Sequence, residues 1–266
     1  MFRFLTNKKV RLTTVYGVLA VMLVISSAVR GVNAEGMNGR ELLSVTRVAQ
    51  GGSDYSGLQF ITAKSTGFVN VAPLVGVGLG TGGAVASVEV KLNLTDYQDK
   101  DLRRRLDVTP TAVGMVTGPT YLVWTGSLGG GMYLGNEFRV SEAAASRHWG
   151  LMGFSTLNRA IEGQLKTDRL DDQGNNYVIE VKFNSEDSLR YWIDKNTFLI
   201  SRVVSYYNGK ILVEEDRSEY RKANCMMLPF RIVTRVRGQR LADLTIESYD
   251  LKTEVPGARF TMSISQ

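Results

Sequence analysis

The sequence predicts a mainly β, α+β fold: a curled antiparallel sheet with helical segments set between two β-rich halves. Three observations carry that expectation. The C-terminal third is a series of strand-like runs joined by very short turns, the pattern of an antiparallel meander. Residues 56–71, 84–95 and 110–125 are rich in Val, Thr, Phe and Tyr with Gly or Pro between them, and read as further strands. Residues 141–165, between these regions, change to helical periodicity.

The chain opens on a positive stretch, Arg3, Lys8, Lys9 and Arg11, followed by an uncharged apolar run from Val15 to Ser27 and the small-residue ending Val32-Asn33-Ala34. This is the pattern of an export signal, with cleavage expected before Glu35 and a second permitted cut after Ala28. The apolar run is shorter than the ~20 residues that span a bilayer. Residues 1–34 therefore read as a signal peptide directing the protein to the periplasm, and residues 35–266 as one domain.

The leader contains five basic residues (Arg3, Lys8, Lys9, Arg11 and Arg30) and no acid, out of 32 basic and 26 acidic residues in the chain. That leaves 27 against 26, with no surplus of cations to displace counterions from phosphates, so nucleic-acid binding is not expected. Cys225 is the only cysteine. It cannot form an intramolecular disulfide, and it lies far from any position where an N-terminal cysteine would be acylated.

Gly39 to Ala49 places Leu42, Val45 and Ala49 with Leu43 and Thr46 at helical spacing before Gly51-Gly52, which predicts a short amphipathic helix. The charge run from Asp96 to Leu106 reads as a solvated turn or short helix. Ser141 to His148 is an alanine-rich helical stretch, and Leu151, Phe154, Leu157, Ile161 and Leu165 continue at helical period. Two helices, or one broken near Gly150 to Gly153, are expected.

Strands are predicted over 176–183, 188–193, 198–207, 211–220, 228–237 and 241–251, with Asn208-Gly209 as a two-residue hairpin turn. In the last hairpin Leu228, Phe230, Ile232, Thr234 and Val236 alternate with Arg231, Val233, Arg235 and Arg237, and Ala242, Leu244 and Ile246 alternate with polar residues. A two-residue loop would set Phe230 against Glu247 and bury charge. Parity therefore predicts the odd loop Gly238-Gln239-Arg240, which pairs Ile232 with Ile246, Thr234 with Leu244, Arg235 with Asp243 and Arg231 with Glu247. In the preceding hairpin the same counting pairs Arg202 with Glu215 and leaves both faces partly apolar, as in a sheet that curls around something.

Little in the chain points to catalysis. Gly78, Gly80 and Gly83 match a dinucleotide-binding spacing, but strand-like residues follow where a helix should open, so a glycine-rich loop is expected. His148 is the only histidine, which excludes histidine-rich metal sites; it reads as a helix-surface or capping residue. Ser155 lacks the second glycine of a nucleophile elbow. Glu214 and Glu215 are adjacent on a predicted strand and must point to opposite faces, so they form no acid/base couple. No enzyme activity, cofactor, metal site or catalytic residue is expected. Trp124, Trp149 and Trp192, with Met152 and Phe154, supply apolar bulk for a core or a cavity.

The segment from Tyr177 to Phe260 resembles the periplasmic lipoprotein-sorting proteins of the localisation-of-lipoproteins carrier type. The resemblance rests on Tyr191 to Ile200 (YWIDKNTFLI), on Glu219-Tyr220-Arg221 leading to Met227-Leu228-Pro229-Phe230-Arg231-Ile232, and on Leu244 to Tyr249 (LTIESY). It implies an incomplete antiparallel β-barrel whose concave side is capped by a helical lid, with an apolar cavity for acyl chains. Residues 56–135 show no such resemblance. The expected partners are lipoprotein acyl chains or another lipid, with membrane contact at most transient. An interaction or stress-sensing module of the same fold, contacting another envelope protein, is the alternative. Candidate lid residues are Trp149, Leu151, Met152, Phe154, Leu157 and Ile161. Phe230, Ile232, Leu244 and Ile246 are the candidate wall.

Overall fold

A computed structural model describes residues 34–70, 89–110, 120–125, 129–133, 136–139 and 148–261. The leader before Ala34, the glycine-rich loop around Gly78 and the stretch from Ser141 to Arg147 lie outside the described residues.

Helix α1 (Gly39–Gln50) starts on a reciprocal cap: the Asn38 side chain accepts from Glu41 N, and Glu41 returns a bond to Asn38 N. It ends at Gly51, whose φ of 147° suits a residue without Cβ; a Cβ there would lie 3.3 Å from the Met226 Cα. A short turn, α2 (Ser53–Ser56), follows. The strands are β1 (Phe60–Asn70), β2 (Glu89–Asp99), β3 (Arg104–Pro110), β4 (Thr120–Trp124), β5 (Gly129–Tyr133) and β6 (Asn136–Arg139), then β7 (Lys166–Gln173), β8 (Asn176–Lys182), β9 (Asp187–Asp194), β10 (Ile200–Tyr207), β11 (Lys210–Ala223), β12 (Met226–Val236) and β13 (Gln239–Asp250). Helical residues 148–151 and helix α3 (Ser155–Ile161) lie between β6 and β7.

All thirteen strands form one antiparallel sheet in the order β6-β5-β4-β3-β2-β1-β13-β12-β11-β10-β9-β8-β7. Two meanders are joined where β1 pairs with β13. Among the described residues the sheet is open, with β6 and β7 at its edges. It curls, because α1 touches β7 and β8 near one edge and also β12, four strands beyond β8. The main apolar core lies in this concavity. Leu42, Leu43 and Ala49 of α1 join Leu151, Phe154 and Leu157 of the helical segment, facing Ile179, Leu189, Tyr191, Ile193 and Val203 of the sheet. β9 alternates strictly between buried and half-buried positions, as one face toward a core requires.

Of the two hairpins tested by parity, β12–β13 keeps the expected sidedness, whereas a bulge in β10–β11 puts Arg202 and Glu215 on opposite faces. Asn208-Gly209 is the two-residue turn, with φ of 49° and 73°. A bulge between Ser205 and Tyr206 shifts the register, so Arg202 faces Asp216 and bonds Glu214, while Val203 faces Glu215. The β12–β13 turn is not the expected three-residue loop. It is the two-residue Arg237-Gly238, both at positive φ, and a bulge after Thr234 supplies the odd residue. Ile232 therefore faces Leu244 and Thr234 faces Ala242, and Asp243 bonds Arg231 and Arg240 in place of Arg235.

The charge run from Asp96 to Leu106 is not a solvated turn. It holds the end of β2, a tight turn and the start of β3, and Asp99 and Arg104 are only 2% and 8% exposed. Asp99 is fully engaged, accepting from the main chain of Asp101 and Arg103 and from Arg103 Nε at 2.5 Å.

Candidate functional site

The site is the helical segment 148–161 lying across the concave face. Its first turn stops early: Gly153 N bonds to the Gly150 carbonyl, so the carbonyls of Trp149 and Met152 lack a helical donor. Two arginines of the sheet supply the missing bonds. Arg104 Nη1 donates to the Trp149 carbonyl at 2.9 Å and Arg217 Nη2 to the Met152 carbonyl at 3.1 Å. Cations placed at carbonyls of a helix C-terminus are also favoured by the helix dipole.

Each guanidinium has its own carboxylate. Arg104 grips Asp96 with Nε at 3.0 Å and Nη2 at 2.7 Å, and Arg217 reaches Glu215 at 2.8 Å. Arg104 also stands 3.9 Å from Glu215, which links the four residues into one neutral cluster. Burial opposes the Arg104 charge, but Asp96 and then Glu215 outweigh it and hold the guanidinium above its ordinary range. Burial likewise opposes the charge of Arg217, and Glu215 more than offsets it.

Further contacts fix the segment along its length. Gln98 Nε2 donates to Asp96 and its Oε1 accepts from Phe154 N at 3.2 Å. Tyr55 OH donates to the Phe154 carbonyl, and burial pushes this phenol up to about 12. The Arg104 guanidinium sits 4.4 Å from the Trp149 ring centroid. Gly150 lies against Trp124: a Cβ there would fall 2.7 Å from the indole Cγ and nearer still to Cδ1 and Nε1. At the N-terminal end, His148 is fully buried and donates from Nε2 to Asp187 Oδ1 at 2.9 Å. It is not a surface residue: Tyr207 packs edge-on to its ring at 6.1 Å, and its partner Asp187 is held in turn by Asn184 at the edge of the β8–β9 hairpin.

The structure brings part of the expected site together. Leu151, Met152, Phe154 and Leu157 are buried in the main core with Ile161 packed against them, and Trp149 joins Arg104. The wall candidates lie apart from that cluster. Ile232 and Leu244 face each other half-buried, Ile246 is buried opposite Ser65, and Phe230 packs edge-on to Tyr249 at 5.4 Å. The wall under the segment is instead Ile179, Leu189, Tyr191, Ile193 and Val203. Trp192 is on the outer face, where its Nε1 donates to Gln173 and Arg202 lies over its ring.

Glu214 and Glu215 do point to opposite faces: Glu214 bonds Arg202 outside, Glu215 bonds Arg217 inside. Asp96, Gln98 and Arg104 were missed as site residues because a charge run without structure reads as a solvated turn. On the opposite face, a cavity of about 580 Å³ is lined by Tyr97, Arg105, Asp250 and Arg259. Its arginines are both bonded to Asp107. Among the described residues no helix is long and apolar enough to cross a membrane, and no group of acidic, Cys and His residues could hold a metal ion.

An open antiparallel sheet curled over a helical segment defines the structural class. No family model and no curated protein matches the chain. Solved structures do. The fold is shared with an outer membrane lipoprotein-sorting protein domain from Vibrio parahaemolyticus, with a TM-score of 0.53 at 14% identity over 86% of this chain and 97% of that one. It is shared equally with a LolA superfamily protein from Nitrosomonas europaea, with a TM-score of 0.53 at 12% identity over 85% of this chain and 99% of that one. The fold implied by the C-terminal motifs is thus the fold observed.

Proposed function

We propose that the protein is a periplasmic carrier of lipoprotein acyl chains or another lipid, exported with its leader removed near Ala34, and that the segment 148–161 is its lid. The observation that carries this reading is the way the lid is held. Its bonds to the sheet run largely through main-chain atoms of Trp149, Met152 and Phe154, while Leu151, Met152, Phe154 and Leu157 fill the concavity with apolar bulk.

Such bulk is exchangeable for hydrocarbon. At roughly 2 kcal/mol for each buried side chain, exposing four of them costs about 8 kcal/mol, which about ten ligand methylenes at ~0.8 kcal/mol would offset. Two acyl chains exceed that. Burial alone then supplies both affinity and exchange, and the reading calls for no catalytic group, cofactor or metal.

Organic extraction of the protein purified from the envelope fraction, followed by mass spectrometry, tests this directly. Stoichiometric acylated lipid is expected, together with displacement of a bound fluorescent fatty acid by lipid. An empty protein that binds no such probe, with Trp149→Ala indistinguishable from wild type, would overturn the reading.

A further inference from the structure

The sheet side of the closed lid presents three inward donors within one small region. Arg104 and Trp124 are direct cross-strand neighbours on β3 and β4, so their side chains stand on the same, concave face. Arg217 joins Arg104 through Glu215. Two of these donors already hold carbonyl oxygens, those of Trp149 and Met152. The third, Trp124 Nε1, is buried without an acceptor among the described residues, on an indole 2% exposed whose N–H edge faces Gly150 of the lid. A buried indole N–H with no partner is costly to keep, and it is aimed where the lid must move.

Resting on the carrier reading above, we infer that Trp124, Arg104 and Arg217 form a recognition site for the carbonyl of an ester- or amide-linked acyl chain, which replaces the lid carbonyls when the lid swings away.

Charge decides between a neutral carbonyl and a carboxylate. Arg104 and Arg217 are balanced by Asp96 and Glu215, so a fatty-acid carboxylate would add a third anion to a buried cluster that already sums to zero. A neutral carbonyl takes the same hydrogen bonds without that cost. The exchange is also even in bonds: a guanidinium released from Trp149 or Met152 regains one acceptor, and the Trp124 N–H gains one it lacked. The site therefore distinguishes acylated lipids from ether lipids, alkanes and free fatty acids with the same hydrocarbon.

The test uses the full-length exported protein and a polarity-sensitive naphthylamine dye displaced by a diacylglycerol, by its dialkyl ether counterpart of equal chain length, and by the free fatty acid. The ester should displace the dye at concentrations on the order of tenfold lower than the ether, as one or two extra hydrogen bonds allow, and also lower than the free acid. Trp124→Phe, which keeps an aromatic ring and removes the N–H, should shrink the ratio of ester to ether displacement. A second readout needs no variant: the infrared carbonyl band of a carbon-13-labelled ester should shift down on binding relative to the same ester in hydrocarbon. Equal displacement by ester and ether, an unshifted carbonyl band, or a preference that survives Trp124→Phe intact would overturn the inference while leaving the carrier reading standing. Failure of every lipid to displace the dye would remove both.

Discussion

His148 and Asp187 are 39 residues apart in sequence, both are buried, and they are joined Nε2 to Oδ1 at 2.9 Å. The pair ties the first turn of the lid to the start of β9. Asp187 in turn accepts from Asn184 Nδ2 at 2.7 Å. Removing one member of a buried, hydrogen-bonded pair leaves one bond of the other unmade, at a cost of about 1–3 kcal/mol. His148→Ala is accordingly expected to lower the urea midpoint markedly. Asp187→Asn, which keeps an acceptor for the ring, should lower it less.

Gly150 packs tightly against the Trp124 indole, so Gly150→Ala drives a methyl group into that ring. Overpacking of this kind costs roughly 1–3 kcal/mol. Trp124→Leu makes room for the methyl, and the double variant should recover part of the loss. A double-mutant cycle from denaturant unfolding measures that coupling; strict additivity would show that the two residues do not press on each other.

The Asp96–Arg104–Glu215–Arg217 cluster predicts an asymmetry between single and paired substitutions. Arg217→Met leaves Glu215 buried with only the distant Arg104, and is expected to destabilise by about 3–5 kcal/mol. Adding Glu215→Leu removes the stranded charge and should restore most of the stability. The double variant should still show a looser lid by hydrogen exchange at residues 152–154, because the Met152 carbonyl has lost its donor.

Acid should weaken the fold through carboxylates at the sheet surface and turns. Hydrogen bonds from Lys182 to Asp168 and from Arg231 to Asp243 hold both acids below the usual carboxylate range. At the end of β13, Asp250 is held down at about 2 by the Thr253 side chain and by main-chain bonds from Lys252 and Thr253. The folded chain binds these protons more weakly than the unfolded chain, so the stabilisation is complete above the unfolded carboxylate value near ~4 and is lost as pH falls through the folded values. Urea midpoints should be flat from neutral pH down to about 5 and then decline. Asp250→Asn should flatten that decline, and an unchanged slope would show that the turn contributes nothing to it.

Much of the sheet was legible because its signals are local. The strand-like run 188–193, the turn at Asn208-Gly209 and the helical spacing of Leu42, Leu43 and Ala49 each specify structure within a few residues, and all three appear as expected. Bulges were not legible. A single extra residue near Tyr206 or Leu241 reshuffles every facing pair beyond it without changing which residues are apolar. The lid's apolar residues could be read from their helical period. The polar residues that hold it could not, since Asp96, Arg104, Glu215 and Arg217 meet only when β2, β3 and β11 fold over the same segment. Arginine in a charge run has the same appearance whether it faces water or caps a carbonyl. His148 was misread for the same reason, its partner Asp187 lying two strands further along the chain.

Among the described residues the strands of the two meanders pair only where β1, near the start of the described chain, meets β13, near its end. Closing a loop that long carries a large entropic delay. Every other strand pair joins neighbours in sequence, so the β1–β13 joint is expected to be the last part of the sheet to form. Parting the molecule at that seam would leave every other strand pair of both halves intact.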